Sequence, residues 1–421
     1  MSGAYRPRDG ARGSRGGRPL RDRGRLDGGE GRTNAAPILS AVGLAIVAAL
    51  TAGLFTGRLP VLRADGGGSL VADRTPAPSD VVIVDPRSDV PGSIVYAKGG
   101  FIWLQSGSDV RRLTSGGRDS MPTWAPDGSW IYYVETRAGR GYFPAAGAPR
   151  HYDLTYPVVI RIRPDGSGRE EVASGRFTRN DGRYVWFSWI RQPVPDATGT
   201  RLAVVSDAPD PTKRNVVVQL LSLEDGSLRS LGLAETPPLG HQDPAWRPGE
   251  GSQPLLYVMN GRDGTRGAPS IWRWDPATKK SRPLAGPGYL GPAWSPSGRW
   301  IVATKQRSLA TDLVILDAST GSEVARVTND GASWGAVWSP AGDAIAYLHI
   351  AGGIVDLRLV EVRETGGRFE IGETLDLTQA SGLDPRSRPS WFIPPGELPE
   401  PTPEPTPEPT PPASAAPTAV P

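Results

Sequence analysis

One fourteen-residue stretch constrains what this chain can fold into more than any other. Met121 to Val134 reads MPTWAPDGSWIYYV, and the pattern recurs. Leu290 to Thr304 is LGPAWSPSGRWIVAT, and Trp334 to Leu348 is WGAVWSPAGDAIAYL. Asp243 to Met259, DPAWRPGEGSQPLLYVM, carries a stretched turn. Tyr184 to Ser206 is a degraded copy running from Trp189 through Pro193, Pro195, Asp196 and Gly199 into LAVVS. A last copy, Arg388 to Pro395, stops soon after its Trp. In each, a short strand ends in Trp, Pro and Gly force a reversal, and an alternating apolar strand returns along the first.

A second hairpin lies between copies, as in VVIRIRPDGSGREEV (158–172), VVVQLLSLEDGSLRSL (216–231), SIWRWDPATKKSRPL (270–284) and DLVILDASTGSEVARV (312–327). Asp165-Gly166, Asp225-Gly226 and Thr320-Gly321 offer the positive φ that such turns need. Four short antiparallel strands per unit, repeated, describe the blades of a propeller. The last copy supplies one inner strand, and residues 93–97, 101–105 and 110–114 supply three more. The expected fold is therefore all-β: a six-bladed β-propeller closed by one C-terminal plus three N-terminal strands, leaving no free edge at the seam.

Trp124-Ala125-Pro126-Asp127-Gly128, Trp294-Ser295-Pro296-Ser297-Gly298 and Arg111-Arg112-Leu113-Thr114 give the chain its resemblance to the TolB-like propeller repeat. It spans about residues 92–395. It implies protein–protein contact in a cell envelope. It does not transfer that family's own partner, because this chain has an apolar N-terminal run and a proline tail and lacks room for the family's extra N-terminal domain.

The 421 residues include no cysteine, which excludes thiol catalysis, disulfides and cysteine-ligated metals. The net charge of +3 hides a partition. Nine Arg and four acids fall in residues 1–34, the tail from Glu397 holds four Glu and no base, and the body is near neutral. A nucleic-acid partner is not expected.

Residues 1–34 read as a disordered cytoplasmic segment. Residues 35–57 lie in an uncharged run containing ILSAVGLAIVAALTAGLF, long enough for a single transmembrane helix preceding the propeller. The Arg-rich flank places the N-terminus inside and the rest outside a bacterial cell membrane. A cleaved signal peptide is the rival, but the run is long and no A-x-A site closes it. Residues 58–91 read as a flexible linker, 92–395 as the propeller and 396–421 as a disordered Pro/Glu/Thr-rich tail.

Both tethers should leave from the face carrying the Pro-Asp-Gly turns, so the opposite face points away from the membrane. Its loops, the longest at 137–156, supply the candidate partner-binding residues Arg140, Tyr142, Phe143, Arg150, His151, Tyr152, Arg179, His241, Asp243, Arg262 and Trp334. Trp124, Trp189, Trp246, Trp294, Trp338 and Trp391 recur once per blade and read as blade-packing residues.

Catalytic, cofactor and metal sites are not expected. Gly331-Ala332-Ser333-Trp334-Gly335 matches a nucleophile-elbow string, but no helix pattern follows, and His349 is the one later histidine. A cation held by His151, His241 and Asp243 would need loops of different blades to converge. The expectation is a monomeric, non-enzymatic protein-binding module or scaffold of the cell envelope. The alternative is a ligand- or glycan-binding sensor or enzyme accessory subunit that uses the propeller channel.

Overall fold

A computed structural model describes residues 85–145, 148–179, 184–234, 240–261 and 268–399, with the backbone alone at 144, 145, 148 and 149. All lie in the second of two units, residues 81–421. The expected cytoplasmic segment, transmembrane helix, most of the linker and nearly all of the tail fall outside the described residues. Among the described residues no helix is long and apolar enough to cross a membrane.

Six antiparallel sheets form the ring. The inner strands are Asp119–Trp124, Ile190–Pro195, His241–Trp246, Tyr289–Trp294, Ser333–Trp338 and Ser390–Phe392, for blades 1 to 6 in order. Blade 6 joins Ser390–Phe392 to Ser93–Lys98, Phe101–Ser106 and Asp109–Arg112, with Ile94 opposite Trp391. One C-terminal and three N-terminal strands thus close the ring, as the repeat requires.

The second strand of each blade is apolar on both faces because each blade is covered by two neighbours. Ile131 and Tyr133 pack toward blade 6, whereas Tyr132 packs toward blade 2. Six buried clusters result, one between each successive pair of blades. Turn aspartates shape the hairpins: Asp127, Asp165, Asp225 and Asp317 each accept the backbone N–H two residues on.

The inner-strand Trp fills the junction with the preceding blade: Trp124, Trp294, Trp338 and Trp391 are 6–8 % exposed, and Trp246 is half-buried. Blade 2 differs. Pro195, not Trp189, takes the equivalent place, since Pro195 pairs with Leu202 as Trp124 pairs with Ile131. Trp189 precedes the strand and is 44 % exposed. Trp130, from the blade 1 turn, packs against that junction instead.

The chain enters and leaves the ring at one end. Trp391 Nε1 donates to Pro91 O at 2.9 Å, and a Cβ on Gly128 of the blade 1 Pro-Asp-Gly turn would lie 2.3 Å from the Phe392 ring. The propeller's termini therefore sit on the turn face.

Candidate functional site

On the face opposite those turns, blade 1 carries an outgrowth. Its second and third strands, Ile131–Ala145 and Ala148–Ile162, pair without slip from Ile131↔Ile162 to Ala145↔Ala148. The sequence suggests a loop at 137–156; the structure has a continuous ladder. Gly139 and Gly141 interrupt the apolar alternation by which a strand is recognised, and Gly141 has a structural reason. A Cβ there would lie 2.9 Å from Val185 O, so glycine lets Tyr184–Phe187 pair with the outgrowth. With Arg176–Arg179 this makes blade 1 a six-stranded sheet.

The two faces of the outgrowth differ. Phe143 and Tyr152 lie on one face, with Trp186 between them at ring-centroid distances of 5.3 and 5.7 Å, and Tyr184 stands edge-on to Phe143. Tyr142 and His151 lie on the other, directly opposite each other with rings 4.3 Å apart. Arg140, Arg150 and His151 are exposed, and the four aromatics of the first face are half-buried. The structure thus brings Arg140, Tyr142, Phe143, Arg150, His151 and Tyr152 onto one hairpin.

The other candidates lie elsewhere. Arg179 is paired with Asp210 at 3.2 Å and donates to Pro209 O. Arg262 is outside the described residues. His241, expected on an outward loop, is 1 % exposed: its Nδ1 accepts Val218 N–H, its Nε2 is 2.8 Å from Ala234 O, and its ring packs on Tyr257. That pattern assigns the donating N–H to Nε2. Among the described residues no group of three His, Asp or Glu is placed to hold a metal ion.

Asp243 and Trp334 line the central channel, a cavity of about 660 Å³ walled by the inner strands of all six blades. Five of those strands bulge at the same point, and their third residues are left-handed: Met121, Gln192, Asp243, Gly291 and Gly335, with φ from 51° to 64°. Three are not glycine, which costs about 1–2 kcal/mol each. Hydrogen bonds between blades hold them. Met121 N donates to Ser387 Oγ at 2.8 Å, Gln192 N to Met121 Sδ at 3.3 Å, Asp243 N to Gln192 Oε1 at 2.9 Å, and Gly291 N to Asp243 Oδ2 at 3.0 Å. Each bulge thus caps the next, until Gly291, having no side chain, leaves the relay open.

Arg388, from blade 6, fills that opening. Its Nη1 donates to Pro292 O at 2.9 Å, and Nη2 would sit 3.3 Å from a Cβ on Gly291. Among the described residues, four charged side chains line the cavity: Arg191, Arg386, Arg388 and Asp243. Burial pulls Arg191 and Arg388 below the ordinary guanidinium range; Asp207 and then Asp243 act against it at Arg191, and Asp243 at Arg388, and both remain charged. Arg191 Nε and Thr304 Oγ1 are enclosed without a hydrogen-bond partner. Leaving such groups unpaired costs about 1–3 kcal/mol each. The sequence reading missed Arg191, Arg388 and Trp186; position on an inner strand, for Arg191, or just before one, for Arg388, is the signal that could have pointed to the two arginines.

Ser333, His349 and Asp330 do meet. Ser333 Oγ donates to Asp330 at 2.9 Å and lies 3.3 Å from His349 Nδ1, while Asp330 Oδ2 is 3.2 Å from the same nitrogen. A nucleophilic relay needs serine and carboxylate on opposite ring nitrogens. Here both face Nδ1, and Ser333 is fully buried. The cluster is a tie between strands.

No known family profile matches the chain. An uncharacterized protein of Agrobacterium fabrum is 26 % identical over 132 residues, 30 % of this chain and 36 % of that protein, so the match spans about a third of the relative. Among solved structures, TolB from Acinetobacter baumannii aligns with a TM-score of 0.49 and 17 % identity, over 71 % of this chain and 66 % of that one. The putative TolB from Agrobacterium tumefaciens aligns at 0.47 and 17 %, over 73 % and 95 %. The likeness is one of architecture.

Proposed function

We propose that this chain is a non-enzymatic docking module of a bacterial cell envelope. The run at 35–57 anchors it as a single membrane-spanning helix with the N-terminus in the cytoplasm. The propeller, a monomer, holds a protein partner outside. The observation that carries this reading is the blade 1 outgrowth. Its strands of 15 residues exceed the longest second strands of the other blades, Trp300–Arg307 and Ala344–Ala351, by seven. At a rise of about 3.3 Å per residue that adds ~23 Å. Aromatic packing with the Tyr184–Phe187 strand stiffens it, so its exposed face is ordered before a partner arrives, which lowers the entropy cost of association.

The exposed face carries Arg140, Tyr142 and His151 together, and Arg and Tyr are the residue types that anchor protein interfaces. The termini of the propeller lie on the face opposite the outgrowth. The test uses the full chain in its own membrane. Replacing residues 139–154 with Asn-Gly shortens the hairpin and keeps the blade 1 ladder below it. Proteins that co-purify after crosslinking should be lost from the shortened variant. An unchanged set of co-purifying proteins would refute the proposal.

A further inference from the structure

We infer that the central channel is a binding site for a small organic anion, one whose carboxylate or phosphoryl oxygens are held between Arg191 and Arg388. The channel is a different site from the outgrowth, and the inference stands without the docking role. Three observations converge on it.

The first is charge. Three guanidinium groups and one carboxylate line the cavity among the described residues. Asp243 is already committed, accepting Gln192 Nε2 at 2.6 Å and Gly291 N at 3.0 Å. No ion pair within 4.0 Å engages Arg191, Arg386 or Arg388 among the described residues, and the one hydrogen bond from these three side chains goes to the neutral Pro292 carbonyl. The cavity is thus a pocket of net positive charge with most of its N–H donors unspent. Low-dielectric walls strengthen its pull on an anion.

The second is the pair of enclosed groups. Thr304 Oγ1, on a side chain 1 % exposed, and Arg191 Nε both border this cavity and have no partner. Unlike the unpaired Trp Nε1 atoms of the packed blade junctions, these two belong to residues that line open cavity space, where the oxygens of a bound anion could complete their hydrogen bonding.

The third is shape. Four prolines, Pro122, Pro193 and Pro244 beside the bulges and Pro389 of blade 6, line the cavity with the arginines, Trp334 and Leu290. An apolar collar around a few convergent charged donors, in about 660 Å³, suits a small molecule with an apolar body and an oxyanion end. Glycine at 291 leaves the room beside which the Arg388 guanidinium lies. The guanidinium fork presents paired donors to a planar carboxylate or to phosphate oxygens.

The experiment measures thermal unfolding of the full chain in nonionic detergent with inorganic phosphate, with benzoate, and with chloride at equal ionic strength. Binding to the native state raises the melting temperature in a saturable way. Benzoate acting alone assigns a carboxylate ligand, and phosphate acting alone assigns a phosphoryl ligand. Arg388→Met should weaken the response about tenfold or more, the loss of a charge-assisted pair. Asp243→Asn should strengthen it, because the competing charge is gone; the single amide oxygen keeps one of the two hydrogen bonds, from Gly291 N or from Gln192 Nε2, so some stability is lost, but a purely structural channel would show no gain in anion response. Should Arg388→Met fail to fold, phenylglyoxal labelling of the unaltered chain decides: the effective anion should protect Arg191 and Arg388 in peptide mapping. The inference is overturned if neither anion exceeds chloride, or if both variants respond as the parent chain does, or if the arginines label equally with and without anion.

Discussion

Trp124 and Trp189 look interchangeable in the repeat, and the ring makes them unlike. Trp124 is 7 % exposed, sits in the cluster between blades 6 and 1, and meets the Phe392 ring at 5.2 Å. Truncation to alanine leaves a cavity at the seam that closes the ring, and buried Trp→Ala changes cost about 3–5 kcal/mol. Trp124 Nε1 has no partner in the core, so no hydrogen bond is lost and a desolvated donor disappears. That places the expected cost at the low end, near ~3 kcal/mol. Trp189 is 44 % exposed and touches Phe187 edge-on at 5.2 Å and Arg191 at 5.6 Å. Losing one aromatic pair and one exposed cation–π contact costs about 1 kcal/mol. The two variants should therefore differ by ~2 kcal/mol, roughly a thirtyfold change in the folded-to-unfolded ratio. Urea unfolding followed by far-UV circular dichroism reads this directly, with equal slopes and a lower midpoint for Trp124→Ala. Equal midpoints, or a lower one for Trp189→Ala, would refute the assignment of blade 2.

Other outcomes follow from the same geometry. Gly240 has φ +63°, and a Cβ there would lie 2.0 Å from Val216 O, whereas Gly352 has φ +58° and open space; Gly240→Ala should cost more than ~3 kcal/mol and Gly352→Ala about 1 kcal/mol in the same unfolding assay. Asp243→Ala removes the acceptor for Gln192 and Gly291 and the one carboxylate among the cavity arginines, so a loss of about 2–4 kcal/mol is expected by thermal unfolding. Burial pushes the Tyr96, Tyr133 and Tyr257 hydroxyls up to about 12. Because their folded values exceed the unfolded value near 10, their contribution is intact below pH 10 and is lost as pH rises toward 12. Absorbance at 295 nm should show these three ionising together with loss of structure, not before it.

The ring was legible because its cause is local. A Trp, a Pro-Gly reversal and an apolar return strand form one hairpin wherever they occur, and the unmatched strand at 390–392 has its partners at 93–112. The blade 2 register was not legible, because Pro195 stands where Trp is the signal, and Trp130 of the neighbouring blade fills the junction. Blade 5's outer hairpin, Ile354–Thr365 with Arg368–Asp376, lacks the Asp-Gly turn that signals the outer hairpins of blades 1 and 2. At 137–156 the residue types point to a binding element but the pattern reads as a loop, since Gly139 and Gly141 break the alternation. The channel arginines had no motif: Arg191 and Arg388 come from blades 2 and 6, and only ring closure puts them in one cavity. His241 shows the reverse case, a residue of functional type that the blade uses to cap Ala234 and Val218.

In the proposed function a partner docks on the outgrowth and not on the turn face. The most direct measurement places photoreactive benzoylphenylalanine at residue 140, or at the exposed turn position 129, in the full chain in living cells. A discrete protein adduct should form from residue 140 after irradiation and none from residue 129. An adduct from residue 129 alone, or none from residue 140, would contradict docking on the outgrowth.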